Sequence, residues 1–227
     1  MTRVTAVVVA AGEGRRFGAF KQFAALRGKS VLDWSLWAFA SHPLIGAIVL
    51  VLPDEERGAS YLRAYPEIAA AVKGGVRRQD SVANGIRAIG GGPEDIVLVH
   101  DGARPLVGRD LISRVVEEAE RSGAAIPVIP VEDTVKEIEA GAVIRTLDRS
   151  TLVRVQTPQG FALGLLRRAL DAAAAGGYEG ADEASLVERI GGRIFTVAGD
   201  PRNIKITEPR DLVWAEACFD DEIRNRI

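Results

Sequence analysis

Apolar positions along this chain fall into two alternating patterns, short unbroken runs and longer stretches with helical spacing. Residues 4–11, 47–52, 96–99 and 124–131 are unbroken runs of strand length. Continuous apolar character marks strands covered on both faces, as in parallel sheets. Between them, Ser30 can cap a helix through Val31, Trp34, Leu36, Trp37 and Phe39, which His42-Pro43 stops. Residues 55–65 read as a weak helix, and 68–73 fit a strand better than a helical turn. Val82, Ile86 and Ile89 define one helix face, broken by Gly90-Gly91-Gly92-Pro93. Leu111, Ile112, Val115, Val116 and Ala119 line the inner face of a helix over about 109–121. Residues 161–175 continue as a helix, Asp182 caps another to Ile190, 194–198 is a strand and 208–219 a terminal helix. Residues 203–206 have the length of one further strand. The alternation predicts an α/β chain: a three-layer, Rossmann-like fold around a mixed, mostly parallel sheet.

Residues 132–157 depart from it. Short strands at 135–138 and 143–147 flank Glu139-Ala140-Gly141-Ala142, 152–156 follows as a third, and no helix fits. An antiparallel β-arm is predicted here. Such an arm cannot cover both of its faces alone, so a second subunit, in a homodimer, is its expected cover. With no repeat, linker or break in composition, residues 1–227 read as one domain carrying that arm.

A chain of 227 residues can bury one large core, and its net charge of −2 speaks against a nucleic-acid partner. Polyanionic substrates would need cations gathered locally. One cysteine, Cys218, and two histidines, His42 and His100, exclude an internal disulfide and a metal cage built from those residues. The first apolar run is too short for a signal peptide or a membrane span, so a cytoplasmic enzyme is the default expectation.

The chemistry concentrates where the first run ends. Ala10-Ala11-Gly12-Glu13-Gly14-Arg15-Arg16 follows the apolar strand, with Lys21-Gln22 close behind. Glycines free backbone N–H groups to surround an anion, and Arg15, Arg16 and Lys21 add full charges. The dinucleotide fingerprint fails because its third glycine falls on Phe17, which weakens an NAD-oxidoreductase reading. The P-loop fails too: ahead of Gly28-Lys29-Ser30 its first glycine falls on Phe23. What remains resembles the nucleotide loop of the sugar-nucleotide pyrophosphorylase superfamily. Gly74-Gly75-Val76-Arg77-Arg78-Gln79-Asp80-Ser81 repeats the same grammar ahead of a helix. His100-Asp101-Gly102-Ala103-Arg104 and Thr157-Pro158-Gln159 follow other strands, so these loops are expected to meet at the carboxyl edge of the sheet. Asp101 there reads as a magnesium or ribose ligand, with a helix cap or an ion pair to Arg104 as the plainer alternative.

Taken in order, V-A-A-G-E-G-R-R with Lys21-Gln22, V-L-V-H-D-G-A-R-P at 97–105, P-V-E-D-T-V-K at 130–136, Asp148-Arg149, T-P-Q at 157–159, D-E-A-S at 182–185 and N-I-K-I-T at 203–207 cover nearly the whole chain. Together they resemble the 2-C-methyl-D-erythritol 4-phosphate cytidylyltransferase family. The resemblance implies transfer of a cytidylyl group from CTP to methylerythritol phosphate, with magnesium or another divalent cation at Asp101. It implies that Ala10, Ala11, Gly12, Gly14, Arg15, Gly74, Arg78, Ser81 and Gly102 surround the nucleotide, and that Arg16, Lys21, Asp101 and Lys205 carry the reaction. Arg104, Asp182 and Lys205 would meet the polyol phosphate, with Thr134 and Arg149 supplied by the arm of a neighbouring subunit. Three positions depart from the family pattern: Ala181 where threonine is usual, Phe20 where proline precedes the lysine, and Gly102 where alanine is frequent. Ribitol 5-phosphate as the acceptor, or a nucleotide-binding protein without activity, are the alternatives.

Overall fold

The structure, a computed structural model, describes residues 2–224. Strand β1 (Val4–Val9) lies at the centre of an eight-stranded sheet. After it come two short paired strands, β2 (Ala25–Leu26) and β3 (Lys29–Ser30), and helix α1 (Val31–Ala40). Ser30 and Asp33 cap α1 reciprocally, the Ser30 hydroxyl accepting from the Asp33 N–H at 3.0 Å and Asp33 accepting from the Ser30 N–H at 3.1 Å. The chain then builds β4 (Ala47–Leu52), α2 (Glu55–Ala64), β5 (Ile68–Lys73) and α3 (Arg78–Arg87) on one side of β1. It crosses to the other side for β6 (Ile96–Asp101), α4 (Arg109–Ser122) and β7 (Ala124–Pro130). Strand order is β5-β4-β1-β6, all parallel, so direction of build reverses at β1 and a crevice opens above its carboxyl end.

The rest of the chain is β8 (Lys136–Glu139), β9 (Ala142–Thr146), β10 (Val153–Val155), β11 (Gln159–Ala162), α5 (Leu163–Ala175), α6 (Glu183–Arg189), β12 (Phe195–Ala198) and α7 (Arg210–Arg224). The sheet is mixed because β11 and β10 run antiparallel; β12 returns parallel to β7.

The apolar runs seen in the sequence explain the layers. Alternate residues of each central strand face opposite ways. Ala6, Val8, Leu50 and Leu98 pack under α1, α2 and α4, whereas Val7, Val51, Val97 and Val99 pack under α3, α5 and α6. Both faces are therefore dry, as the continuous runs require. Helix α7 closes a smaller cluster with Leu26, Val31, Leu106 and Ile206.

Four local expectations change. Residues 159–162 form β11, where a helix was expected from Phe161: the segment fills the space between β6 and β7, so sheet pairing overrides its helix-compatible composition. Gly160 permits that close packing, since a Cβ there would stand 2.8 Å from Val115 Cγ1. The third strand expected in the arm, β10, pairs instead with β7 in the main sheet, which leaves β8 and β9 as a separate hairpin. Strand β6 runs on through His100 and Asp101, because Val8 and Val9 of β1 still pair with them. Residues 203–206 form no strand; they run as a loop whose Ile206 N–H donates to the Ala103 carbonyl.

Candidate active site

A cleft of about 570 Å³ opens at the carboxyl ends of β1, β5 and β6. Of the residues singled out in the sequence, Ala10, Ala11, Gly12, Arg15, Lys21, Arg78, Ser81, Asp101 and Lys205 line it. The fold thus brings together groups spread across nearly two hundred positions.

The first loop is shaped by Gly14 and Gln22. Gly14 has φ of +67°, and a Cβ there would lie 2.0 Å from the Ala19 carbonyl oxygen, so only glycine fits the turn. Gln22 is buried and its amide donates to the carbonyls of Ala10 (2.7 Å) and Gly12 (3.0 Å), tying the far end of the loop to its beginning. Lys21 is thereby held in the cleft. Burial, and then the nearby charge of Lys205, lower its pKa to about 8, with Asp101 opposing the shift. Arg16 is exposed beside it, and Arg15 pairs with Glu13 at 3.2 Å on the open rim.

The second loop approaches the first so closely that Gly74 is required. A Cβ on Gly74 would meet Ala11 Cβ at 2.2 Å and Ser81 Oγ at 2.9 Å. The Gly75 N–H donates to Ser81 Oγ at 3.0 Å. Arg78 opens α3 and points inward, with Nε 3.1 Å from Asp101 Oδ1 and Nη1 2.7 Å from Glu183 Oε1. Burial works against its charge, but Asp101 and Glu183 outweigh that and raise its pKa.

Asp101 is the hub. Its carboxylate meets Arg78 at 3.1 Å, Lys205 at 2.7 Å and Arg104 at 3.9 Å. Burial favours the neutral acid, yet Arg78, Lys205 and Arg104 together hold the carboxyl well below the usual range. Beneath it, the Thr157 hydroxyl accepts from the Asp101 N–H at 3.1 Å and lies 3.2 Å from His100 Nδ1, to which it donates because the Arg104 carbonyl at His100 Nε2 can only accept. His100 Nε2 is then the protonated nitrogen and donates to the Arg104 carbonyl at 3.2 Å. Complete burial pushes the His100 pKa down to about 3, so the imidazole is a neutral strut.

Other predicted site residues stand elsewhere. Gly102 faces Leu32 and the back of Ala10, and its neighbour Ala103 lines the cleft instead. Arg104 is largely buried beneath Asp101 and donates to the Asn203 carbonyl at 2.7 Å, which fixes the loop carrying Lys205. Asp182 caps α6 through Ser185 N–H (2.9 Å) and accepts from Gln159 at 2.7 Å, so both oxygens are engaged within the fold. Thr134 and Arg149 are exposed at the base of the β8–β9 hairpin, and Arg149 donates to the Glu132 carbonyl. Glu13, Val76, Arg77 and Ala103 line the cleft without having been singled out, as does Gln22, seen only as the neighbour of Lys21. Two adjacent signals were readable: Gln22 and Arg77 each sit beside a cation already assigned.

Among the described residues no group of three or more His, Cys, Asp or Glu side chains could hold a metal ion. Asp101 is the buried carboxylate on the cleft, and magnesium commonly takes one or two protein carboxylates and completes its shell with phosphate oxygens and water. Arg78 and Lys205 already face the two Asp101 oxygens, so a cation there would share or displace them.

Comparison with known proteins places the chain in a family. The sequence model of the 2-C-methyl-D-erythritol 4-phosphate cytidylyltransferase family matches residues 4–221. The chain is 43% identical over 225 residues to the protein of that name from Geotalea uraniireducens, covering 95% of this chain and 96% of that one. It resembles the solved structure of the Thermus thermophilus protein of the same name with a TM-score of 0.80 and 39% identity, covering 94% and 98% of the two chains. The Francisella tularensis structure gives a TM-score of 0.83 at 32% identity, covering 95% and 99%. The crevice at β1, the loops that converge on it and the match along nearly the full length lead to one conclusion: this chain belongs to the 2-C-methyl-D-erythritol 4-phosphate cytidylyltransferase family.

Proposed function

We infer that the cleft around Asp101 is where the family's reaction takes place. The chain transfers a cytidylyl group from CTP to 2-C-methyl-D-erythritol 4-phosphate, giving 4-diphosphocytidyl-2-C-methyl-D-erythritol and pyrophosphate in isoprenoid biosynthesis. One observation carries this reading: Lys21, Arg78, Asp101 and Lys205, from four separate elements, line a single cleft large enough for a nucleotide.

The acceptor's phosphate oxygen attacks the α-phosphorus of CTP in line; a new P–O bond forms while the bond to the β-phosphate breaks. The attacking phosphate is already ionised near neutral pH, its second pKa being about 6, so no general base is required. The work left to the protein is to bring two polyanions together and stabilise charge on the transferring phosphoryl group. Arg16 offers a planar fork to the phosphates and Lys21 a point charge. Ala10–Gly12 and Ser81 border the nucleotide, and Gly14 and Gly74 give the loops their shape. Asp101 keeps Lys205 at the cleft edge, where it can receive the acceptor's phosphate. Asp101 is also the carboxylate that would hold magnesium or another divalent cation, which when bound supplies neutralisation of phosphate charge.

The assembly we propose is a homodimer joined through the arm, with Thr134 and Arg149 reaching the neighbour's acceptor site. Its support is apolar surface left open on the hairpin: Ile138 and Val143, cross-strand partners on one face, are 66% and 61% exposed. A cytoplasmic setting suits soluble nucleotide and polyol phosphate substrates, and no described helix is long and apolar enough to cross a membrane.

The test is pyrophosphate release with CTP and magnesium, with methylerythritol phosphate and ribitol 5-phosphate supplied separately. Release with methylerythritol phosphate alone is expected. Release only with ribitol 5-phosphate would replace the acceptor, and release with neither would overturn the reading.

A further inference from the structure

Glu183 does not line the cleft, yet it is wired to it. It is the first residue of α6, and its side chain is 1% exposed. Oε1 accepts from Arg78 Nη1 at 2.7 Å, whereas Oε2 has no hydrogen-bond partner among the described residues. Burying a carboxylate is costly unless it is paired, and its neighbours Ala184, Leu186 and Val187 belong to an apolar cluster. Capping does not explain it, because Asp182 already caps α6. Burial pushes the Glu183 pKa up and Arg78 works against that, so its partner in the fold is the Arg78 guanidinium.

That pairing matters because Arg78 has two anchors. A guanidinium is a rigid planar fork, and carboxylates at two of its nitrogens, Nε and Nη1, fix both its position and its tilt. Asp101 in turn faces Arg78, Arg104 and Lys205. With Glu183 neutralised, Arg78 would be held by Asp101 alone and could turn both nitrogens onto it, at the expense of Lys205. Glu183 thus divides the cations around Asp101 and leaves Lys205 at the cleft.

We propose that Glu183 is a positioning residue for nucleotide binding, its buried carboxylate fixing Arg78, and through it Asp101 and Lys205, in the arrangement that receives CTP. This rests on reading the cleft as the CTP site.

A double-mutant cycle on the full chain tests it. Glu183→Gln, Arg78→Gln and the double variant are titrated directly with CTP, with kcat and KM measured alongside and folding followed by thermal melting. Glu183→Gln is expected to weaken CTP binding by about tenfold or more, the scale for a hydrogen bond to a buried charge. The double variant should bind no more weakly than Arg78→Gln alone, since both changes act through one guanidinium. Glu183→Asp, which keeps the charge one methylene short, should fall between wild type and Glu183→Gln, and it takes the latter's place in the cycle should that variant not fold. CTP affinity within threefold of wild type in folded Glu183→Gln, or losses that simply multiply in the double variant, would overturn the proposal. A wild-type chain that binds CTP without turnover would overturn the functional reading alone, and the cycle would still decide the role of Glu183. A wild-type chain that does not bind CTP would overturn both.

Discussion

Lys21 shows how burial tunes a single residue. With its pKa lowered to about 8, first by burial and then by Lys205, it is charged at neutral pH and discharged as pH rises through that value. We therefore expect kcat/KM for CTP to fall above about pH 8, and Lys21→Arg to carry the activity to higher pH. Lys21→Ala should lower turnover by about 10²–10³, the scale for losing one donor to a transition state. Wild-type turnover in that variant would remove Lys21 from the mechanism. His100 governs stability rather than chemistry. Its pKa falls from 6.5 in the unfolded chain to about 3 in the fold, because burial excludes the imidazolium. Between those values the unfolded state binds the extra proton, so stability falls as pH is lowered, by up to about 1.4 kcal/mol per pH unit. His42, also lowered first by burial, acts in the same direction. Denaturant unfolding from pH 7 to 4.5 should show this slope in wild type and a flatter one in His100→Gln.

At the scale of elements, the site is made by loops that touch. The loop after β1 and the loop after β5 meet at Gly74 and Ala11, where no side chain fits between them. Gly74→Ala should force the two loops apart, lowering kcat/KM for CTP by about 10- to 100-fold, the effect of a displacement of roughly 1 Å at a reacting centre. Steady-state kinetics on the folded variant would check this, and unchanged values would mean that the loops adapt independently. This contact was half legible in the sequence: the glycines and cations of both loops were plain, but their distance apart was not. The strands β1, β4 and β6 were legible because burial on both faces leaves an unmistakable apolar run. Strand β11 was not, because Gln159-Gly160-Phe161-Ala162 is neither apolar throughout nor alternating, and only pairing with β6 and β7 makes it a strand.

For the whole molecule, the question is what the hairpin covers. If Arg149 serves the neighbour's site, chains damaged at different points should complement each other. Lys21→Ala and Arg149→Ala chains, each nearly inactive alone, should on unfolding and refolding together regain about a quarter of wild-type activity. Half of the dimers formed at random are mixed, and each mixed dimer holds one intact site out of two. No recovery, in a preparation whose mass confirms dimers, would place Arg149 in its own chain's site. Replacing Val143 with lysine should shift the mass toward the monomer, since it puts a charge in the exposed apolar strip.

The order of residues alone was enough to set the layers and the chemistry on offer. Apolar periodicity sets which faces must be buried, and clustered glycines and cations after a strand point to where an anion could be held. It also singled out Lys21 and Asp101, which the fold brings into one cleft, Lys21 on the loop after β1 and Asp101 as the last residue of β6. How charges are shared among distant residues became visible in the folded chain alone. Lys205, alone in sequence an ordinary surface lysine, lines the cleft because Arg104, donating to the Asn203 carbonyl, fastens its loop beside Asp101. Asp182 and Gly102, similar in sequence to ligand-binding positions, are taken up by capping and packing. The physical reason is that pattern encodes local preference and burial, whereas pairing between charges depends on distances of about 3 Å that only the folded chain sets.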